Sequence, residues 1–281
     1  MKIKRRIKKL IGIETIWNEL TVLRDELEKQ RDIFFTYRAQ MAIQMRKMTM
    51  YQSSEGDKAQ LMPDRKTIEK AYAELEKLAP VAYRQWEKLF QVNKEEYVQE
   101  LPDSLSVTEN VGAHRFKEFI APWLYGNVLD IGCGPQDVPT YLLDYPLKKI
   151  YGIDPILPHK EHPFHFEQAI AEFLPWEDNS FDTILIGTSF DHVLLLDKAL
   201  MEIQRSLKHD GIFLVWTSFV EGSLEYSPYT DSIEPVDRYH LFHFDKVWFE
   251  KMMCDFGFII AEHCAINGNH YYAFRFEGED K

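Results

Sequence analysis

Only three cysteines, Cys133, Cys254 and Cys264, occur among the 281 residues. They are too few and too irregularly spaced for a disulfide framework or a zinc knuckle, so they read as reduced thiols of a cytoplasmic protein. Basic charge is also in short supply: 33 Lys and Arg stand against 45 Asp and Glu, a formal net charge of -12. That balance argues against nucleic acid as a partner, because no whole surface of this sign can grip phosphates. Long apolar runs are missing as well. No stretch approaches membrane-spanning length, and Glu14 and Asn18 interrupt what would be the apolar part of a secretory leader. What is present is an apolar content of 45%, enough for one large globular domain with an extension.

The extension comes first. Leu20, Leu23, Leu27, Gln30, Phe34, Tyr37, Met41, Gln44 and Met48 follow alternating steps of three and four with no proline or glycine between them. This is heptad spacing, and it predicts a coiled coil that joins copies of the chain into a homo-oligomer. The alternative is an amphipathic helix packed on its own globular domain. Ahead of it, Ile3, Ile7, Leu10 and Ile11 share a helical face, with Lys2, Lys4, Arg5, Arg6, Lys8 and Lys9 around the remainder. Each basic residue near an anionic leaflet adds roughly 1 kcal/mol of attraction, so this composition suits peripheral contact with the inner face of a membrane. A solvated, frayed terminus is the other reading.

The polar stretch Gln52 to Lys58 breaks the pattern, and Pro63-Asp64 opens a helix with Ile68, Tyr72, Leu75 and Leu78 on one face. A second helix over Val81 to Gln91, a loop through Pro102 to Ser106 and an amphipathic run from Glu109 to Leu124 follow. The organisation is then a basic helix and coiled coil over 1–60, a helical cap or linker over 61–108, and a catalytic domain over 109–281. Within the last, β-type runs near Val128 to Ile131, Ile150 to Ile153, Phe164 to Ala169, Thr183 to Gly187 and Ile212 to Thr217 alternate with helical stretches. That is the pattern of an α/β, doubly wound, Rossmann-like sheet with helices on both faces. Phe258 to Ala265 and Tyr271 to Phe276 flank Asn267-Gly268, a pair suited to a tight turn, so the mostly parallel seven-stranded sheet should end in an antiparallel hairpin.

The first strand runs into Asp130-Ile131-Gly132-Cys133-Gly134, at the place where such a sheet binds its ligand. Gly132 and Gly134 permit close backbone approach, and Asp130 can attract an ammonium group. The second strand ends at Asp154, 20 residues after Gly134, the interval at which a carboxylate accepts both hydroxyls of a ribose. An N-cap or turn role is the alternative for Asp154.

Val128 to Gly134, Gly152 to Pro155, Ala171-Glu172-Phe173-Leu174-Pro175-Trp176 and Asn179-Ser180-Phe181-Asp182 resemble, in order and spacing, the successive motifs of class I S-adenosylmethionine-dependent methyltransferases. Ala199 to Gly211 is similar to the helix and turn before that family's fifth strand. The resemblance covers about Glu109 to Glu277 and implies S-adenosylmethionine as cofactor. The turn at Gly132 to Gly134 would touch its methionine portion, Asp154 its ribose, and Ala171 and Glu172 its adenine, with Thr188 at the fourth strand's end. Ile170 departs from the aspartate many relatives carry before the alanine, which leaves adenine to backbone groups and Glu172. Trp176 is either a wall of that site or core packing.

Methyl transfer is an in-line displacement, so the enzyme mainly holds the acceptor in line, and an alcohol acceptor also gains from a nearby base. Asp191 and His192 follow the fourth strand and are the expected catalytic pair, with His192 as base; orienting substrate or capping a helix are their other roles. Tyr239, His240 and His243 are expected to bind substrate. His240 and His243 could join Asp191 or Asp237 around a cation, but no ligand spacing is diagnostic and no metal is expected. The insertion Glu221 to Val236, with Tyr226, Pro228, Tyr229 and Pro235, reads as a lid or a long surface loop. An Asn-Pro-Pro-Tyr motif, which marks amine acceptors in similar enzymes, is missing, which shifts weight to oxygen. Together with the basic arm, this points to a hydroxyl on a glycan or glycan precursor, with a small-molecule natural product as the alternative acceptor. A nicotinamide-dependent oxidoreductase and a coiled-coil scaffold retaining a nucleotide pocket are the competing functions.

Overall fold

The computed structural model describes residues 2–50, 58–98, 110–158 and 160–276. The loop expected at Pro102 to Ser106 and the break after Tyr51 lie outside the described residues, as do the side chains of the basic face over residues 2–13.

The chain opens with α1 (Lys2–Met50), followed by α2 (Ile68–Leu78), α3 (Pro80–Val98) and α4 (Val111–Ile120). The sheet is built from β1 (Val128–Ile131), β2 (Ile150–Asp154), β3 (His165–Gln168), β4 (Phe181–Gly187), β5 (Leu207–Ser218), β6 (Phe258–Ile266) and β7 (Asn269–Phe276). Helix α5 (Leu196–Ser206) precedes β5, and α6 (Lys246–Asp255) precedes β6. Strand order is β3-β2-β1-β4-β5-β7-β6. The first five strands are parallel, while β7 runs antiparallel to both β5 and β6. Asn267 and Gly268 take φ of 49° and 78°, the paired left-handed conformation that a tight hairpin requires. The chain reverses its winding between β1 and β4, which puts a crevice at the C-terminal edge of those strands.

The connections between the first strands differ from the expected alternation. Single 3₁₀ turns, Thr140–Leu142 and Leu147–Lys149, stand between β1 and β2 where a crossover helix was expected. Pro135, Pro139 and Pro146 account for this, since each removes an N–H and clashes with the preceding helical turn. The two faces of the sheet are nonetheless covered. One face buries Ile153, Ile184 and Phe213 against Leu75 of α2, Trp86 of α3, Leu200 of α5 and Phe249 of α6. The other buries Leu185 and Leu214 against Phe116 and Phe119 of α4, with Tyr141 and Tyr145 from the proline-rich connection. The cap helices thus share one core with the sheet. Chain entry to α2 is fixed by an antiparallel bridge between Leu61 and Trp176 and by the Met62 N–H donating to the Pro175 carbonyl at 2.8 Å.

Helix α1 is continuous, and it carries two faces. Phe35, Ala39 and Arg46 lie against the α/β domain: the Phe35 and Phe119 rings are 6.3 Å apart, Ala39 is buried, and the Arg46 guanidinium donates to the Ala121 carbonyl. Arg38 adds a 2.7 Å bond to Glu262, and Thr36 a 2.8 Å bond to Glu118. The expected heptad residues are on a different face. Leu20, Leu23, Leu27, Phe34 and Tyr37 are 53–70% exposed, a run of apolar side chains uncovered in the single chain.

Candidate active site

The crevice at the switch point opens into a cleft that runs from Gly132 and Asp154 to Trp86 and Phe242. At the end of β1, Gly132 has φ of 75°, and a Cβ there would stand 2.4 Å from the Ser189 Oγ, so glycine is required on both counts. Ser189 itself donates to the Ile131 carbonyl at 2.9 Å, pinning the β4 loop to the β1 turn. At the end of β2, the buried Asp154 carboxylate accepts from the Gly134 N–H at 3.0 Å and the Ile156 N–H at 2.8 Å. Burial pushes its pKa up to about 6, against the pull of those two N–H donors. Ile131, Ile153, Pro155, Ile170 and Ala171 make the adjoining wall apolar.

Glu172 also faces the cleft, and its buried Oε1 accepts from the Leu194 and Leu195 N–H groups at 2.9 and 3.0 Å. It therefore ties the segment after β3 to the loop that follows His192. Asp130 sits behind the turn, fully buried and off the cleft wall, and it accepts from the Tyr141 hydroxyl at 3.0 Å. Burial raises it well above the usual carboxylate range. Trp176 is core packing, edge-on to Tyr151 and Phe181. Thr188 holds φ of 60° at the end of β4, a left-handed backbone unusual for its type, with its N–H on the Trp216 carbonyl. Gly134 and Thr188 belong to the turns around the cleft rather than to its wall.

The far half of the cleft is built by segments distant in sequence. Asp191 and His192 form a 3₁₀ turn, Phe190–His192, and line the cleft together with Tyr239, Leu241 and Phe242. Trp86, Leu89, Phe90 and Asn93 of α3 close it from above. The Trp86 and Phe90 rings stack at 5.2 Å, and the Trp86 indole N–H donates to the His192 carbonyl at 2.8 Å. Burial lowers the His192 pKa from 6.5, with Asp191 opposing, so the imidazole is neutral at physiological pH. Beside it the His240 ring stacks at 4.6 Å, with its Nε2 3.8 Å from Asp191. Asp237 joins His240 Nδ1 at 2.9 Å and His243 Nε2 at 3.1 Å, so His240 and His243 stand behind the wall rather than on it. The insertion is not an open lid. Tyr226 stacks on Phe242 at 4.0 Å and donates to the Leu194 carbonyl, and Tyr229 donates to Asp197.

An apolar wall beside a buried carboxylate with lone pairs to spare, at a strand-end turn held by Gly132, suits an adenosyl nucleotide carrying an amino-acid tail. The sheet order with its reversed β7 and this arrangement are consistent with the Rossmann-like fold of class I methyltransferases, a type that uses S-adenosylmethionine.

The chain is similar to known proteins over part of its length. Residues 129–215 match the family model described as a methyltransferase domain. The chain is 28% identical over 171 residues to the ubiquinone/menaquinone biosynthesis C-methyltransferase UbiE of Bartonella tribocorum, covering 51% of this chain and 62% of that protein. It is 30% identical over 92 residues to the mitochondrial arginine-hydroxylase NDUFAF5 of Danio rerio, covering 31% of this chain and 29% of the relative. The chain thus spans less than two thirds of the length of either. Among solved structures, the Burkholderia thailandensis 1,6-didemethyltoxoflavin-N1-methyltransferase with bound 1,6-didemethyltoxoflavin and S-adenosylhomocysteine superposes with a TM-score of 0.49 at 14% identity, over 77% of this chain and 92% of that one.

Proposed function

We propose that this protein transfers a methyl group from S-adenosylmethionine to a hydroxyl on a small, ring-bearing acceptor. The observation that carries the reading is the continuity of one cleft, from Gly132, Asp154 and Ala171 at one end to Asp191, His192 and the Trp86–Phe90 stack at the other. Bound in the first half, S-adenosylmethionine supplies an electrophilic methyl on a sulfonium; an acceptor oxygen takes it as the carbon–sulfur bond breaks and S-adenosylhomocysteine leaves. Gly132 admits the amino-acid tail, Asp154 receives the ribose hydroxyls, and Ile170, Ala171 and Glu172 flank the adenine. Asp191 and His192 meet the acceptor hydroxyl and dispose of its proton, for which a neutral imidazole is suited. Trp86, Phe90 and Phe242 exclude water and present flat apolar faces, so a ring is the natural occupant.

A sugar of a glycan precursor is the second reading, favoured by the same stack, since a C–H face can lie on Trp86 while Asn93, Asp191 and His192 take up its hydroxyls. The uncovered heptad face of α1 supports self-association of the chain, and the basic residues ahead of it support peripheral membrane contact. Among the described residues no helix is long and apolar enough to cross a membrane.

Calorimetric titration with S-adenosylmethionine, S-adenosylhomocysteine and NAD tests the cofactor. Saturable binding of the first two without the third is expected, and selective NAD binding would overturn the reading. A screen of phenols, quinols and sugar precursors against the loaded enzyme, with the product's new methyl located by NMR, then tests the acceptor; methyl on carbon or nitrogen would refute the oxygen assignment.

A further inference from the structure

The sequence separates Asp191-His192 from His240 by nearly fifty residues, and the fold closes that gap. One ligand atom from each of Asp191, His192 and His240 lies within 4.8 Å of the other two. His192 Nε2 is 4.0 Å from Asp191 Oδ1, and His240 Nε2 is 3.8 Å from Asp191 Oδ2. Asp191 Oδ1 is buried and accepts no hydrogen bond, although it lies at the cleft. Such an oxygen calls for a cation or a donor, because its desolvation is otherwise uncompensated.

The ring behind supplies the second, independent feature. Asp237 accepts from His240 Nδ1 at 2.9 Å, so Nδ1 carries the hydrogen and Nε2 is the nitrogen turned toward Asp191. A carboxylate that fixes one imidazole nitrogen and aims the other into a polar cluster is the usual outer support of a metal-binding histidine. His243, on the same Asp237 oxygen at 3.1 Å, steadies that carboxylate from the other side.

We propose that Asp191, His192 and His240 bind a divalent transition-metal ion at the acceptor end of the cleft, with Asp237 as the carboxylate that orients His240. Two imidazoles and one carboxylate suit zinc, iron(II) or cobalt(II), and they occupy one side of the ion, leaving the cleft side for the acceptor. Ligand bonds of about 2.0–2.2 Å put neighbouring donors roughly 3.4 Å apart, so donors that now lie within 4.8 Å of one another draw in by about 1.4 Å at most on binding. The ion deepens the proposed methyl transfer, on which its catalytic role rests: it binds the acceptor oxygen and lowers the pKa of its hydroxyl, so the proton passes to solvent as the acceptor binds and the ionised oxygen then takes the methyl as the carbon–sulfur bond breaks. His192 then serves as ligand instead of base.

The test uses the full chain, stripped with chelator and dialysed against zinc(II), with cobalt(II) substitution as the spectroscopic probe. One zinc per chain is expected, with visible cobalt absorption showing nitrogen ligation. His240→Gln and Asp191→Asn should abolish both signals, and Asp237→Asn should weaken zinc binding about 10–100-fold. His209→Ala, at an exposed histidine away from the cleft, should change neither. Thermal melts and S-adenosylmethionine titrations of each variant report the fold. Stoichiometry far below one, or zinc retained in His240→Gln, would overturn the metal site. Zinc bound as expected by a chain that ignores S-adenosylmethionine would instead overturn the methyl-transfer reading and leave the site standing.

Discussion

Replacing Asp154 by asparagine keeps its volume and removes its charge. A carboxylate offers about four lone-pair directions, of which the Gly134 and Ile156 N–H groups use two. Two remain for the two ribose hydroxyls. Asparagine has a single acceptor oxygen, and its NH₂ is set against one of those backbone N–H groups. Charge-assisted bonds contribute about 1.5–3 kcal/mol each, so the loss should be about 3 kcal/mol, or roughly 150-fold in Kd for S-adenosylmethionine. The pKa of about 6 adds a second signature. Below that pH the wild-type carboxyl is protonated, and Kd should rise about tenfold per pH unit, while Asp154→Asn stays flat. Stability of the free protein should run the opposite way. The folded state holds this proton more tightly than the unfolded chain, so Asp154's contribution to stability is greatest below its ordinary value of 3.8 and is lost as pH rises to about 6. Calorimetry across about pH 5 to 8, with melts of the free protein across about pH 3 to 7, measures both trends. An unchanged Kd in Asp154→Asn, or a flat wild-type profile, would refute the ribose assignment.

Gly132→Ala puts a Cβ against Ser189 and forces a left-handed alanine, so it should cost about 1–3 kcal/mol, a melting shift of several degrees, along with most cofactor affinity; a silent variant would mean the turn yields. Glu172→Ala leaves two buried N–H groups without an acceptor at about 1–3 kcal/mol each, whereas Glu172→Gln keeps the oxygen that both use; denaturant unfolding should rank the pair in that order. Leu23→Asp combined with Leu27→Asp alters only the uncovered face of α1, so light scattering should report a smaller particle with an unchanged melting temperature. An unchanged mass would remove the case for a coiled coil.

Much of the sheet was readable because its strands are short apolar runs of β-branched residues bounded by turn residues, and Asn267-Gly268 fixes the final hairpin by local conformation alone. The same locality makes Gly132 and Asp154 legible: both sit at strand ends whose place in the fold follows from strand order. The proline-rich connection was equally visible in Pro135, Pro139 and Pro146, yet the expectation of a crossover helix outweighed it. Helix α1 shows a different difficulty. Its exposed seam through Leu23 and Tyr37 and its docked face through Phe35 and Ala39 obey the same three-and-four spacing, and periodicity cannot tell which one meets the domain. The Trp86 bond to His192 and the His240 approach to Asp191 carry no sequence signal, because they join segments whose contact depends on the whole fold. Asp130 was legible as a conspicuous carboxylate, but its partner Tyr141 lies in the proline-rich connection, and only the fold turns the two toward each other.

The stacked pair on α3 has a consequence for how resemblance can be used. Trp86, Phe90, Asn93, Tyr239 and Phe242, which line the half of the cleft proposed for the acceptor, all fall outside residues 129–215. The segment matched by the family model carries the proposed nucleotide end together with Asp191 and His192, but none of these five side chains. Inheritance of the common segment therefore says little about which molecule is methylated; two chains could agree throughout it and serve unrelated acceptors.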